Sequence, residues 1–254
     1  MRRTVHELGS GPHVLMVNGW RCPPHAWAGV DRAVAAAGFR VTCTEPPHPV
    51  LGGGPVAVAD WLAEEWRDRD APYAVIGYSL GAQAALMLAS RLPRPPERLV
   101  LLAPLVLPVR GPSWLPHPWR QVADLPVIAR MLLRAGRAAV RGVPKPRWDG
   151  TVSVPSFLTT VTRSILSAPV RSSVNGLAAA MAFDLRPEAA GVRVPTLVIS
   201  GEHDFMSPAA GAVMLADALG DAARLLVVPG AGHFMHLEDP KVTIPPILRH
   251  LGGA

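Results

Sequence analysis

Three residues far apart in the chain carry the side chains of one reaction. Ser79 sits in Gly77-Tyr78-Ser79-Leu80-Gly81, Asp204 closes Ser200-Gly201-Glu202-His203-Asp204, and His233 ends Pro229-Gly230-Ala231-Gly232-His233. A serine hydroxyl is a poor nucleophile until a base takes its proton, and an imidazole base needs a carboxylate to orient it. Serine, then acid, then histidine is the chain order found where the nucleophile stands on a strand-to-helix turn. The expected chemistry is attack on a carbonyl carbon, with Ser79 as nucleophile, His233 as base and Asp204 as orienting acid. A base of this kind works only when neutral, so activity is expected to fall as pH drops through the ordinary histidine range, about 6.5.

The attacked carbonyl becomes an oxyanion, which needs two fixed N–H donors. One is expected to be the backbone N–H of Leu80, directly after the nucleophile. The other is expected in the loop Asn18-Gly19-Trp20, from the backbone N–H of Trp20. Glu202, two residues from Asp204, is an alternative acid. Asp184 reads instead as a salt-bridge or helix-cap residue, and His203 and His236 as polar or packing residues. His25 follows two prolines in an early loop and could line the pocket.

These groups need a scaffold. Short apolar runs at 14–17, 40–43, 73–77, 99–102, 196–199 and 225–228 read as strands, with helical patterns at 26–37, 56–68, 80–91, 208–219 and 239–251. Their alternation predicts an α/β fold, a mostly parallel central sheet flanked by helices. The Gly-x-Ser-x-Gly pattern is weak alone, but a strand runs into it and an Ala-rich helix runs out, which is the context it needs. Asp204 and His233 fall just beyond strands, where open α/β sheets place their sites.

One stretch breaks the alternation. From 104 to 187 there is no clear strand. Phe157, Val161 and Ile165 stand four apart, and Val174, Leu177, Ala178 and Met181 fit a second helical face. Eighty-odd residues with their own helices exceed a plain loop. The expected division is a core of 1–103 and 188–254 with a helical cap, 104–187, inserted after the strand that follows the nucleophile helix. Trp114, Trp119, Phe157 and Met181 are the candidates in this cap for lining an apolar acyl pocket.

Composition sets the remaining limits. The 254 residues are 49% hydrophobic and 17% charged, which suits a single folded domain with an insertion and excludes a disordered chain. No apolar run reaches the ~18–20 residues of a membrane span. The basic start, Met1-Arg2-Arg3, lacks the apolar segment of a signal peptide, and Cys22 with Cys43 makes neither a metal pattern nor a disulfide framework. A cytoplasmic location is expected, with no metal, nucleotide, flavin or other cofactor. The net charge of +6 is local: residues 104–188 hold 11 Lys+Arg against 4 Asp+Glu, and the remainder 14 against 15. Without a recognisable module or interleaved aromatics, that basicity does not point to nucleic acid. It reads either as a rim that attracts an acidic substrate carrier or as a solvated face.

The chain as a whole resembles the α/β-hydrolase superfamily. The resemblance rests on Asn18-Gly19-Trp20, Trp27, Gly77-Tyr78-Ser79-Leu80-Gly81, Phe183-Asp184-Leu185-Arg186-Pro187, the run from Val194 to Asp204 and the run from Gly232 to Pro240. It implies a serine hydrolase of esters or thioesters. Haloalkane dehalogenases and epoxide hydrolases carry Asp at the nucleophile position. The short leader, the Gly-Trp loop and the basic cap are similar to the carboxylesterases that act on pimeloyl-carrier-protein methyl esters. That similarity implies an acidic acyl carrier protein, or a coenzyme A thioester, as partner. Two departures stand out. Asn18 replaces the usual His, and Glu45-Pro46-Pro47-His48 with Gly52-Gly53-Gly54 replaces the usual Asp-and-Gly-rich turn. The short leader also suggests that one strand of the usual antiparallel start is missing. Two other readings stay open: an acyltransferase or cyclase on the same three residues, and a binding protein in which they are inactive.

Overall fold

The computed structural model of the chain describes residues 6–108 and 169–252, apart from Pro23 and Ala28, together with Thr159 and Thr162. Trp114, Trp119, Phe157 and most of the expected cap therefore lie outside the described residues.

The six apolar runs are strands: β2 (His13–Val17), β3 (Arg40–Thr44), β4 (Ala74–Tyr78), β5 (Arg98–Leu102), β6 (Thr196–Gly201) and β7 (Ala223–Val228). Among themselves these six pair only in parallel. Parallel strands covered on both faces read as unbroken apolar runs. The pleat divides them: Leu15, Val17, Val75, Leu99 and Val198 face one side, and Val14, Met16, Ile76, Val100 and Ile199 the other. The short leader does provide one antiparallel strand, β1 (His6–Leu8), paired with β3. The sheet order is β1-β3-β2-β4-β5-β6-β7.

One face is covered by α3 (Gly54–Glu65), α4 (Leu80–Arg91) and α7 (Ala209–Leu219), the other by α1 (Val30–Ala36) and α9 (Pro240–His250). The helical pattern expected from 26 starts only at Val30. Gly29, at φ 95°, separates α1 from a tight helical turn over Pro24–Trp27. The Pro-rich stretch after β3 forms a short helix, α2 (His48–Gly52), that the sequence pattern did not suggest. Proline is tolerated in a first helical turn because the N–H it removes has no partner there. Near the carboxyl edge of the sheet lie α5 (Val170–Ala182) and α8 (Met235–Glu238), and the short α6 (Arg186–Ala189) precedes β6.

The packing of α5 differs from its hydrophobic pattern. Of the expected face only Ala178 is buried, and Val174, Leu177 and Met181 are half-buried, whereas Ser173, Gly176 and Ala180 are buried. A Cβ on Gly176 would meet the Leu51 carbonyl oxygen at 2.0 Å, so α5 lies against α2 through its smallest side chains. Buried Gln83 of α4 fixes the other end, donating from Nε2 to Leu105 O (2.9 Å) and Ala180 O (3.0 Å).

Candidate active site

Ser79 occupies the single residue between β4 and α4, at φ 54° and ψ −120°. A side-chain-bearing residue held there is strained, and such strain persists only where the surroundings over-determine it. Here they do. The Ser79 N–H donates to Leu102 O at the end of β5 (2.9 Å), and the Ser79 carbonyl accepts from Ala82 N (2.9 Å). The flanking glycines admit no side chain: a Cβ on Gly77 would meet Gly81 O at 2.4 Å, and one on Gly81 would meet Val17 O at 2.1 Å. The spacing of the motif is thus a packing requirement of strand against helix.

Asp204 lies three residues beyond β6, in a turn closed around its carboxylate. Oδ1 accepts from Met206 N (2.9 Å) and Ser207 N (2.8 Å), and Oδ2 accepts from Ser207 Oγ (2.8 Å). His233, five residues beyond β7, adds a fourth donor through Nδ1 to Oδ2 (2.8 Å). Because a carboxylate only accepts, this bond places the imidazole proton on Nδ1 and leaves the Nε2 lone pair toward Ser79 Oγ, 3.1 Å away. Burial alone would raise the Asp204 carboxyl, but the hydrogen bond and charge of His233 and the donors of Ser207 outweigh it, holding the carboxyl below its ordinary value. All three side chains are buried. Together they can take a proton from a serine hydroxyl and hold the resulting imidazolium.

The rival residues are engaged elsewhere. Glu202 accepts from Gly230 N (2.8 Å) through Oε2, bracing the histidine loop rather than the histidine. Asp184 accepts from Arg186 N (3.1 Å) and pairs with Arg186 Nη2 (2.7 Å), and that hydrogen bonding lowers its pKa. His236 is fully buried against Tyr78, ring centroids 4.6 Å apart, and bonds Ala26 O. The Tyr78 hydroxyl donates to the His233 carbonyl (3.3 Å), so this aromatic layer also supports the histidine loop.

The loop after β2 is braced where the departure from the usual sequence falls. Buried Asn18 donates from Nδ2 to Cys22 O (3.1 Å) and accepts from the Trp27 indole at Oδ1. One amide thus ties both ends of the turn, which an imidazole in a single tautomer could also do with its two nitrogens. Neither bond uses the backbone N–H of Trp20. The N–H of Leu80 opens α4, where the first donors of a helix have no partner within it. The Trp20 indole donates to Ser173 O on α5 (2.9 Å).

Trp20 and Leu80 line one pocket with Ser79 and His233, about 130 Å³ in volume and otherwise apolar. From α5 its wall is Leu177, one turn before the expected Met181, which is half-buried but not part of that lining. Tyr78, at the end of β4, with Leu105, Met206, Phe234 and Cys22 completes the contacts. Leu177 was legible as part of a helical face. Leu105, Met206, Phe234 and Cys22 sit in loops, where no periodicity marks them. Burial pushes the Cys22 thiol up to about 12, so it stays protonated and does not compete with Ser79 as a nucleophile. Among the described residues no helix is long and apolar enough to cross a membrane, and no three His, Cys, Asp or Glu side chains gather to hold a metal.

Residues 14–245 match the model of the α/β-hydrolase family. Curated relatives that match along most of the chain carry the name pimeloyl-[acyl-carrier protein] methyl ester esterase. That of Nitrosomonas europaea is 29% identical over 243 residues, covering 93% of this chain and 94% of its own. That of Aromatoleum aromaticum is 30% identical, covering 94% and 98%. An esterase from Exiguobacterium antarcticum superposes with a TM-score of 0.75 at 18% identity, over 98% of this chain and 94% of that one, a likeness of fold alone. With a parallel sheet that carries serine, acid and histidine beyond its strands in that order, and a family match spanning nearly its whole length, the chain belongs to the α/β-hydrolase family and is a hydrolase.

Proposed function

We propose that the chain is a serine esterase or thioesterase that works through an acyl-enzyme. The observation that carries this reading is the unbroken pair of hydrogen bonds from Ser79 Oγ to His233 Nε2 (3.1 Å) and from His233 Nδ1 to Asp204 (2.8 Å). Ser79 Oγ attacks the carbonyl carbon as its proton passes to Nε2. The Leu80 and Trp20 N–H groups receive the oxyanion. The imidazolium returns the proton to the departing alcohol or thiol, leaving an ester on Ser79. Water then attacks that ester with the same base, and the acid departs.

For the substrate, we read an apolar acyl chain in the pocket beside Leu105 and Leu177, delivered on a carrier protein or coenzyme A. The relatives named for a carrier-protein methyl ester support this, as does the basic stretch 104–188, whose charge would draw an acidic carrier and raise encounter rates. In this reading 104–187 is a cap over a core of 1–103 and 188–254, and α5 is its described end. A fluorophosphonate probe tests the chemistry. A single adduct on the wild type, mapped to Ser79 and absent from Ser79→Ala, is expected. A folded wild type that takes no adduct, or a variant that labels equally, overturns the reading.

A further inference from the structure

His233 stands on a loop with no strand or helix of its own, five residues past β7 and two before α8. A base that must reach Ser79 and Asp204 at once needs its Cα–Cβ direction fixed. The backbone fixes it from both sides. In the peptide unit joining Ala231 to Gly232, the carbonyl accepts from His203 N (2.8 Å) and the N–H donates to Glu238 Oε2 (2.6 Å). In the unit joining His233 to Phe234, the carbonyl accepts from the Tyr78 hydroxyl (3.3 Å) and the N–H donates to Glu238 Oε1 (3.3 Å). Glu238 takes part in both, one carboxylate oxygen on each side of the histidine.

Local folding delivers the carboxylate there. Leu237 N and Glu238 N both donate to Phe234 O (2.7 and 2.9 Å), so α8 turns its last residue back toward the loop. A Cβ on Gly232 would sit 3.2 Å from Glu238 Oε1 and press the carboxylate away, so glycine at 232 leaves it room. A glutamate that merely caps a short helix bonds the N–H at the helix start. Here the shorter bond goes past that N–H to Gly232, on the far side of the base. Glu202, by contrast, holds Gly230 N, three residues before the histidine.

We infer that Glu238 is a positioning residue for His233: its carboxylate clamps the peptide units on both sides of the base and so keeps Nε2 at the Ser79 hydroxyl. This rests on the serine-hydrolase reading, in which His233 is the base. Glu238 itself is exposed, so its removal takes no packing from the core.

Wild type, Glu238→Ala and Glu238→Gln are compared in hydrolysis of p-nitrophenyl butyrate. Glu238→Ala releases both N–H groups, and kcat is expected to fall by about 10–100-fold. KM should stay within about twofold, and Tm within about 2 °C, of wild type. Glu238→Gln keeps one carbonyl oxygen for the Gly232 N–H and should bring kcat back to within about threefold. Wild-type kcat in Glu238→Ala, no recovery in Glu238→Gln, a loss carried by KM, or a loss that follows a collapse of Tm overturns the positioning role.

A second readout needs no turnover. The His233 Nδ1 proton, bonded to Asp204, is expected downfield of the amide protons in the NMR spectrum and is assigned by its loss in His233→Gln. It should broaden by solvent exchange in Glu238→Ala. Its absence from wild type, or an unchanged signal in Glu238→Ala, overturns the clamp. A wild type that neither hydrolyses the ester nor takes a fluorophosphonate adduct brings down the Ser79 reading instead, and the proton signal then judges the clamp alone.

Discussion

The turn around Asp204 and the loop around Trp20 flank the same serine, and they are held in opposite ways. Asp204 receives four donors on two oxygens, from half-buried Met206 and from buried Ser207 and His233, and its carboxyl stays ionised although dehydrated. The loop after β2 is tied by bonds spread along its length: Asn18 to Cys22 and Trp27, the Trp20 indole to Ser173, and Arg21 to His48. Proton transfer tolerates little positional freedom, whereas substrate choice is adjusted by small movements of a wall. The first region is therefore the one whose damage removes the reaction, and the second the one whose damage redirects it.

Asp204→Asn gives the sharpest test. The amide keeps the shape but presents a donor where Nδ1–H needs an acceptor, and kcat is expected to fall by about 10⁴-fold with the fold intact. Glu202→Gln, two residues away but bonded to Gly230 N, should leave kcat near wild type. Comparable losses in steady-state ester hydrolysis would erase the distinction between the two carboxylates.

The aromatic layer beneath His233 offers a stability test. Burial lowers the His236 imidazole from 6.5 to about 4, so the unfolded chain takes up that proton at higher pH than the folded one. The His236 contribution is fully present above pH 6.5 and is lost as pH falls toward 4, about 3 kcal/mol in all. Urea unfolding at pH 7 and 4.5 should show a shallower pH dependence for His236→Gln than for wild type; parallel slopes would mean that another group titrates.

Smaller effects should come from the opposite wall. Leu177 is half-buried, so Leu177→Ala should leave Tm nearly unchanged while shifting preference toward longer acyl chains by about tenfold in kcat/KM. Leu105 lines the same pocket but is buried in the core, and Leu105→Ala should cost about 2–5 kcal/mol of stability. An unaltered chain-length profile in Leu177→Ala would remove α5 from the acyl site. Smallest of all, Trp20→Phe deletes the bond to Ser173 O and should lower kcat/KM by the equivalent of about 1 kcal/mol.

The sheet and the grouping of Ser79, Asp204 and His233 were legible because they obey strict local rules. Strands buried on both faces leave apolar runs, and an elbow packed between β2 and α4 requires glycine at 77 and 81. Chain order did not separate Asp204 from Glu202, since both lie between Ser79 and His233 and nothing in the sequence shows that Gly230 N draws the glutamate away. Ser207, which donates twice to Asp204, lies in a turn without periodicity and gave no signal. On α5 the hydrophobic pattern marked Val174, Leu177, Ala178 and Met181; of these only Ala178 is buried, and close approach to α2 selected small Ser173 and Gly176 for burial. The three residues of β1 were too few to register as a strand, and pairing with β3 supplies what their own sequence lacks.

That short antiparallel strand has a consequence for assembly. Without it, β3 would end the sheet with its outer N–H and C=O groups open, a template onto which a second molecule could add a strand. His6–Leu8 occupies those groups opposite Val41, Thr42 and Cys43, and His6 is anchored to Asp31 of α1 (3.3 Å). A strand of three residues offers little ladder for further growth, so the edge is closed by a segment too short to be extended. Any tag or truncation that displaces residues 6–8 would reopen it, and the first symptom would be self-association rather than lost catalysis.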